Sequence, residues 1–259
     1  MSSIATWERP HWKPGGTRRT RQHFIAFFAD ACPDFEVHAA EDGLPEGDPL
    51  LGFELEAYSN ASWIAGWGAG PLGVFLDDAE GVDATAVRQA RAAMGACAGK
   101  TDGRTLAGLQ GGMALCRGFA RAGALAVLDV VALRWWSAEA LLALAPDRPF
   151  DIGEHISLTY ETAPEHPEVG NFCHTRGLAK FARPDLGIYG ATPGDAGALL
   201  SAVASAMARG LDPADGETTR VAGGEVWHFK AHPDDSGIPS PLFFNTWLEL
   251  VKGPRALLG

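Results

Sequence analysis

Strand-like and helix-like apolar spacings alternate along the whole chain, and this pattern constrains the fold more than any other feature. Apolar and polar residues alternate at 53–58, as in a half-buried strand. The start Thr192-Pro-Gly-Asp195 supplies an N-cap, a proline at N1 and an acid at N3, and apolar residues then recur at helical spacing. Strands and helices are mixed in this way in both halves of the sequence, which predicts an α+β fold.

The two halves read alike, each as a strand, a glycine-containing connection, a strand, a helix and a further strand. We therefore expect two similar α+β halves of strand-strand-helix-strand type, at residues 23–150 and 151–259, behind an N-terminal arm at residues 1–22. Tandem ferredoxin-like units or one composite domain would both fit this order. A chain of 259 residues is long enough for either arrangement.

Apolar spacing and turn residues assign the remaining elements. In the first half they predict helices at 24–31, from Asp83 to 97, at 106–120 and from Ser137 to 144. They predict strands there at 35–39, 72–76 and 124–133. In the second half they predict strands at 155–162, 186–189, 225–229 and 243–251. The glycines within the 106–120 helix indicate close packing, since each lowers helix propensity by about 1 kcal/mol.

Composition disfavours several classes of function. The formal net charge of −11 argues against sequence-independent nucleic-acid binding, which depends on neutralising phosphates, and against binding to anionic membranes. The apolar runs are far shorter than the roughly 20 residues of a membrane span, and the first residues lack the apolar core of a secretory signal. The 4 cysteines are widely spaced and form no Cys-x-x-Cys pair. We expect a cytoplasmic protein without a cofactor.

One short segment matches the dinucleotide fingerprint G-x-G-x-x-G in its letters. It is Gly68-Ala-Gly-Pro-Leu-Gly73. The fingerprint requires a strand before the glycines and a helix after them, whereas the spacing here continues into the strand predicted at 72–76. We interpret the segment as a glycine-rich turn.

A second segment, Ala231-His-Pro-Asp-Asp235, is similar to the zinc-binding signature A-H-P-D-D-E of a family of sugar deacetylases. Ser236 stands where that signature has Glu, and no histidine follows His232. A zinc site needs four protein ligands, or three and a bound water, so the ligands in this segment are too few. We interpret this segment as a turn and expect no metal.

Residues 171–190 concentrate basic side chains within an acidic chain. Arg176, Lys180 and Arg183 have i, i+4, i+7 spacing, which would gather them on one side of a turn or short helix to bind a carboxylate or phosphate. In the alternative, apolar residues anchor the loop and its charges pair with acids such as Asp185. The candidate ligand-binding residues are His174, Thr175, Arg176, Lys180 and Arg183.

The same segment carries a family resemblance. The stretch 175–186 resembles the pattern T-x-G-[LM]-x-x-[FH]-x-x-P-[DE]-[LI] of bacterial domain-of-unknown-function family 4261, with Arg183 at a variable position. The stretches 123–127 and 135–141 are similar to a strand and a helix start in that family. The resemblance spans about residues 70–190 and implies a fold rather than an activity.

The sequence contains no nucleophile elbow G-x-S-x-G and no phosphate loop, so it assigns no catalytic residue. Whether the protein is an enzyme stays open, as does its oligomeric state. We expect non-catalytic binding of a protein partner or a small anionic ligand. The alternative is an enzyme in which His174 is the general acid/base and Arg176 orients an anionic substrate. Ligand binding at this segment predicts that His174, Arg176 and Lys180 are partly exposed in one concavity.

Overall fold

The structure is a computed structural model, and it describes residues 4–47, 49–50, 52–162, 170–220, 225–231 and 245–253. It confirms the predicted α+β class. The chain divides into unit 1, Met1–Glu8 with Gly16–Phe150, and unit 2, Arg9–Gly15 with Asp151–Gly259. Among the described residues, no helix has the length and apolar character needed to cross a bilayer.

The described strands of unit 1 form a five-stranded antiparallel sheet in the order β2-β3-β1-β4-β5. These strands are β1 (Gln22–Phe28), β2 (Phe53–Tyr58), β3 (Ala92–Ala98), β4 (Ala126–Asp129) and β5 (Arg134–Ser137). The helices of unit 1 are α1 (Ala39–Asp42), α2 (Ala61–Trp67), α3 (Gly70–Asp77), α4 (Ala84–Arg88), α5 (Ala107–Arg121) and α6 (Ala138–Ala143).

The helix predicted at 24–31 is wrong, because these residues form the central strand β1. Phe24 and Phe28 pack with Phe119 of α5 on one face of the sheet. Ile25 and Phe27 pack on the other face with side chains of α2, α3 and α4. A strand buried on both faces loses the apolar–polar alternation, and the spacing of its phenylalanines then mimics a helix. The strand predicted at 35–39 is also wrong: 35–38 lie outside any helix or strand, and Ala39 begins α1.

The strand predicted at 72–76 is wrong as well, because α3 occupies this stretch, with a proline in its first turn. The element before the glycines is helix α2, so the strand that a dinucleotide fingerprint requires before them is not there. Gly73 serves packing, since an added Cβ would lie 2.8 Å from the carbonyl oxygen of Gly68. The glycines therefore allow two short helices to meet at a tight turn.

The helix predicted from Asp83 begins correctly but ends early. The Asp83 side chain accepts a hydrogen bond from the Ala86 N–H at 2.9 Å, as an N-cap does. The helix ends at Arg88, and the small apolar residues that follow form strand β3. The sequence spacing could not separate these elements because Ala, Met and Cys fit either.

The long helix of the first half is confirmed as α5, and so is close packing at its glycines. An added Cβ at Gly111 would lie 2.7 Å from the carbonyl oxygen of Pro49. Ser137 caps α6 as predicted, accepting the Ala140 N–H at 3.0 Å. The strand predicted at 124–133 is shorter, and a further strand, β5, follows it after Leu133, which adopts a positive φ of 51°.

The described strands of unit 2 form a six-stranded sheet in the order β6-β7-β8-β11-β10-β9. Neighbours are antiparallel except β8 and β11, which run parallel. The elements of unit 2 are β6 (Ser157–Glu161), β7 (Phe172–Arg176), β8 (Asp185–Tyr189), α7 (Pro193–Ala208), β9 (Thr218–Arg220), β10 (Val226–Ala231) and β11 (Trp247–Lys252), with 3-10 turns at Ile152–Glu154 and Leu178–Phe181.

Helix α7 confirms the predicted capped start. Thr192 accepts the Asp195 N–H at 3.3 Å, and its own hydroxyl donates to the Asp195 carboxylate at 2.8 Å. The apolar stripe of α7 is buried, with Val203 only 3% exposed. The strand predicted at 155–162 is confirmed at 157–161, but Leu158 is 45% exposed and Tyr160 is 39% exposed.

Tandem ferredoxin-like units are not confirmed. In the described part of unit 1, a four-residue helix links β1 to β2, and three helices intervene between β2 and β3. The described part of unit 2 has one long helix and a different strand order. The predicted turn at His232–Asp235 and the first residues of the strand predicted at 243–251 lie outside the described residues.

Candidate functional site

The segment 171–190 folds as β7, a 3-10 turn and β8. Gly177 opens the turn with φ of 119°, a backbone conformation that favours glycine. Leu178 and Phe181 fill the turn with fully buried side chains. The apolar residues of the segment therefore anchor it within unit 2.

All five candidate residues are buried, so the expected partial exposure is wrong. The fold places three of them (His174, Thr175 and Arg176) on β7, Lys180 in the 3-10 turn and Arg183 just before β8. Their exposed fractions are 0% for His174, 0% for Thr175, 4% for Arg176, 1% for Lys180 and 4% for Arg183. Sequence spacing found the charges but not their burial.

Thr175 joins β7 to β8. Its hydroxyl donates to Asp185 Oδ1 at 3.0 Å and accepts the Leu186 N–H at 2.8 Å. Asp185 also accepts from the Leu178 N–H at 3.1 Å and from Asn245 Nδ2 at 2.9 Å. Burial raises the pKa of Asp185, and these hydrogen bonds, the one from Asn245 first, oppose the rise. Thr175 therefore holds the two strands together.

Arg183 binds backbone carbonyls rather than facing a cavity. Its Nε donates to the Leu211 carbonyl at 2.9 Å, and its Nη1 donates to the Ala182 carbonyl at 3.0 Å. Its Nη2 lies 3.4 Å from the Gly210 carbonyl, just beyond the end of α7. A guanidinium at a helix C-terminus satisfies carbonyls that lack helical partners. Arg183 thus has a structural role.

His174 and Arg176 lie on one face of β7 because side chains alternate along a strand. His174 Nε2 is 3.1 Å from Glu161 Oε1, and Nδ1 is 3.2 Å from the Thr175 carbonyl oxygen. The hydrogen bond to His174 is the largest cause that lowers the pKa of Glu161, with Arg176 adding to it. Burial lowers the pKa of Arg176, whereas Asp185 and Glu161 raise it. We call His174, Arg176, Glu161 and Asp185 the acid–base cluster.

Sequence reasoning missed Glu161, which is the most exposed member of the acid–base cluster, with 41% of its side chain accessible. Its position follows from the antiparallel register of β6 and β7, in which Glu161 pairs with Phe172 and Thr159 with His174. The sequence predicted a strand at 155–162 but none at 172–176, so the pairing that brings Glu161 to the segment could not be inferred.

Unit 2 also contains a groove of about 700 Å³, which no sequence motif indicated. One wall is the first half of α7, where Ala198 and Ala202 are exposed one turn apart. The floor and the opposite wall come from β8, β10 and β11, with Ile188, Leu250 and Trp227 among the lining side chains. The lining is thus mostly small or apolar, with one indole.

The charged groups that line the groove occur with partners. Lys252 Nζ lies 2.5 Å from Glu225 Oε1 and 5.7 Å from the centre of the Trp227 ring. Glu249 lies 3.3 Å from Lys230 Nζ. Asp195 accepts the Thr192 hydroxyl in the first turn of α7, where the helix dipole favours a negative charge. Asp195 is therefore a lining carboxylate that no cation neutralises among the described residues, so the groove has an excess of negative charge.

Trp227 brings a further polar group to the groove. Its Nε1–H is shielded from solvent and finds no acceptor among the described residues. A buried donor without an acceptor costs about 1–3 kcal/mol. The Trp227 indole is therefore a donor beside the groove that a bound acceptor atom would reach after the side chain rotates.

Within the described ranges, no group of three or more His, Cys, Asp or Glu side chains is arranged to hold a metal ion. The acid–base cluster has the chemistry for proton transfer, and the groove has the chemistry for binding a small molecule. Comparison with protein-family models, curated proteins and solved structures returned no match. The resemblance to family 4261 stays an expectation.

Proposed function

We propose that the chain is a non-catalytic binding protein whose unit 2 takes up a small, uncharged, largely apolar molecule in the groove beside α7. The observation that carries this proposal is the groove itself. Its volume of about 700 Å³ lies within the range of roughly 300–1,000 Å³ that is usual for small-molecule sites. Its apolar wall and single indole also resemble the composition of such sites.

The charges around the groove support an uncharged ligand rather than an anion. Lys252, the ammonium in its lining, already pairs with Glu225. An anion would have to compete with that carboxylate, and it would lie near Asp195 as well. Burying a charge without a partner is costly. A neutral ligand avoids this cost and leaves the existing ion pair in place.

A ligand with a hydrogen-bond acceptor would gain further from Trp227. The indole N–H is shielded in the free groove, so a rotation of the side chain has to accompany this contact. The hydrogen bond would satisfy a donor that has no acceptor among the described residues. We expect acceptor-bearing neutral aromatics to bind more tightly than hydrocarbons of the same size.

The neutral, polarity-sensitive dye Nile red tests the proposal. We expect its fluorescence to rise and shift to the blue with the wild-type protein and to lose most of this response with Ala202→Trp, which fills the groove. The matched control is Ala65→Trp, which adds an indole to an exposed alanine of α2 in unit 1 and should bind the dye as the wild type does. An equal response from Ala202→Trp would rule out the groove.

The acid–base cluster supports a second candidate, an enzyme in which His174 is the general acid/base. The 3.1 Å contact of His174 with Glu161 is the observation in its favour, since such a carboxylate orients an imidazole for proton transfer. Arg176 would orient an anionic substrate.

The test of this candidate is a screen of ester, amide and phosphate substrates. Turnover that is abolished by both Glu161→Gln and His174→Gln would establish the enzyme. Turnover that is unchanged in both variants would exclude it.

A further inference from the structure

We infer that the outer edge of strand β2 in unit 1 is a docking site for an extended segment of another protein, one that alternates basic and apolar residues. This inference goes beyond small-molecule binding in unit 2. It rests on the free edge of the strand, on the different chemistry of its two faces and on the charge of one face.

The edge is open over most of its length. β2 is the first strand of its sheet and pairs with β3, and no other described strand pairs with it. Four consecutive residues, Glu54 to Ala57, are exposed. An exposed edge presents backbone N–H and C=O groups that a further strand can pair with. At the other edge of the sheet, β5 leads directly into the Ser137 cap of α6.

The two faces of β2 differ in chemistry. Glu54 and Glu56 lie on one face, over Cys97 and Gly95 of β3. Leu55 and Ala57 lie on the other face, and Leu55 is 49% exposed. A strand added to this edge would place its own alternate side chains next to these two sets. Basic residues on one face and apolar residues on the other would match both.

The acidic face carries charge that no cation neutralises among the described residues. Glu56 accepts the Tyr58 hydroxyl at 2.6 Å, which fixes its carboxylate and raises the pKa of Tyr58 to about 12. Burial raises the pKa of the Cys97 thiol, and Glu54 and Glu56 raise it further. The negative charge of Glu54 and Glu56 therefore affects the neighbouring side chains on this face. A basic partner would be attracted by this face and by the overall charge of −11.

The same charges disfavour a second copy of the chain as the occupant. An antiparallel self-pairing centred on Leu55 puts Glu54 opposite Glu56 of the other copy. A register shifted by one residue places the apolar side chains of one copy opposite the charged side chains of the other. Like charges directly opposite each other in a sheet are destabilising. The complementary occupant is therefore a basic strand from a different protein.

The experiment uses the full chain and a fluorescein-labelled peptide, Thr-Lys-Val-Lys-Val-Lys-Val-Thr, followed by fluorescence anisotropy. We expect saturable binding, weaker binding of a peptide of the same composition with the lysines grouped together, and slower hydrogen exchange at residues 53–58 in the complex. The double variant Glu54→Lys/Glu56→Lys should lose affinity on the order of tenfold, as expected for two cross-strand charge pairs, and should favour the peptide with Glu in place of Lys.

The matched control is Asp78→Lys/Glu80→Lys, which reverses two exposed charges of the same unit away from β2. It should bind the basic peptide within about twofold of the wild type, since only the pairs on β2 carry the effect. An equal loss in both double variants would overturn the inference, because it would reflect overall charge alone. Absence of binding, unchanged hydrogen exchange at 53–58, or a wild-type dimer that the β2 variant dissociates would overturn it as well.

Discussion

The Thr175 hydroxyl donates a hydrogen bond to the buried carboxylate of Asp185 at 3.0 Å and accepts the Leu186 N–H at 2.8 Å. One side chain thus connects two strands and supplies one of the hydrogen bonds to a buried carboxylate. This pair lies within the segment 171–190, in which the basic side chains His174, Arg176, Lys180 and Arg183 are concentrated. At this point the segment stabilises the sheet of unit 2.

Thr175→Val should destabilise the protein by about 2 kcal/mol, because it keeps the shape of the side chain and removes both hydrogen bonds. The matched control is Thr159→Val on the neighbouring strand β6. The Thr159 hydroxyl is shielded from solvent and has no hydrogen-bond partner among the described residues, so its loss should be neutral or slightly stabilising. Urea unfolding measures both, and equal destabilisation by the two variants would contradict the role given to Thr175.

Glu161 should contribute to stability in a pH-dependent way. Its pKa lies below the ordinary 4.5, chiefly because of the hydrogen bond to His174. The folded state therefore keeps Glu161 ionised to a lower pH than the unfolded chain does. This contribution is complete above about pH 4.5 and is lost as the pH falls through the lowered folded value.

The measurement for Glu161 is the melting temperature of Glu161→Gln against pH. We expect the variant to melt below the wild type at neutral pH and the gap to close in acid. Glu80→Gln, at an exposed position of unit 1, should follow the wild type at every pH. A gap for Glu161→Gln that stays constant down to pH 3 would show that ionised Glu161, hydrogen-bonded to His174, does not stabilise the fold.

Two glycines of α5 should respond oppositely to alanine. An added Cβ at Gly112 would lie 2.8 Å from the Phe24 ring, so Gly112→Ala should destabilise unit 1 by about 1–3 kcal/mol despite the better helix propensity of alanine. At Gly108 the nearest atom is Cδ of Lys100 at 3.4 Å, on a flexible side chain. Gly108→Ala should therefore be neutral or stabilising by up to about 1 kcal/mol. Thermal unfolding of both variants measures these effects. A Gly112→Ala protein that is more stable than the wild type would contradict close packing at Gly112.

Val203 tests the packing of α7 on its sheet. It is 3% exposed, so Val203→Asp buries a charge and should destabilise the protein by more than about 3 kcal/mol. The preceding residue, Ala202, is exposed, and Ala202→Asp should change stability by less than about 1 kcal/mol. Similar melting temperatures for the two aspartate variants would show that this face of α7 is not part of the core.

Sequence reasoning predicted elements whose boundaries carry their own chemical signals. Thr192 and Ser137 mark helix starts by capping, and α5 and α7 have long apolar stripes. It was wrong at β1, where burial on both faces removes the alternation that identifies a strand. It was also wrong at α3, where a short apolar run fits a strand as well as a helix.

The site was predicted less well than the fold, for a physical reason. The basic residues at 174–183 are visible in the sequence, but their burial depends on Glu161 of β6, Asn245 and the end of α7. The groove is formed by two separate stretches of the chain, within 188–202 and 225–252, that supply mostly small or apolar residues. Such residues are common, so no local pattern distinguishes those that line a groove.

The proposed binding of an uncharged molecule beside α7 is tested most directly by methyl NMR with a matched ligand pair, 2-naphthol and 2-naphthoate. We expect neutral 2-naphthol to shift the methyl signals of the groove residues Ile188, Leu199 and Leu250 in a saturable way, to leave Leu141 of unit 1 unchanged, and to bind more tightly than the naphthoate anion. The proposal would be contradicted if the three groove residues showed no shifts. It would also be contradicted if the anion bound more tightly, with shifts centred on the acid–base cluster.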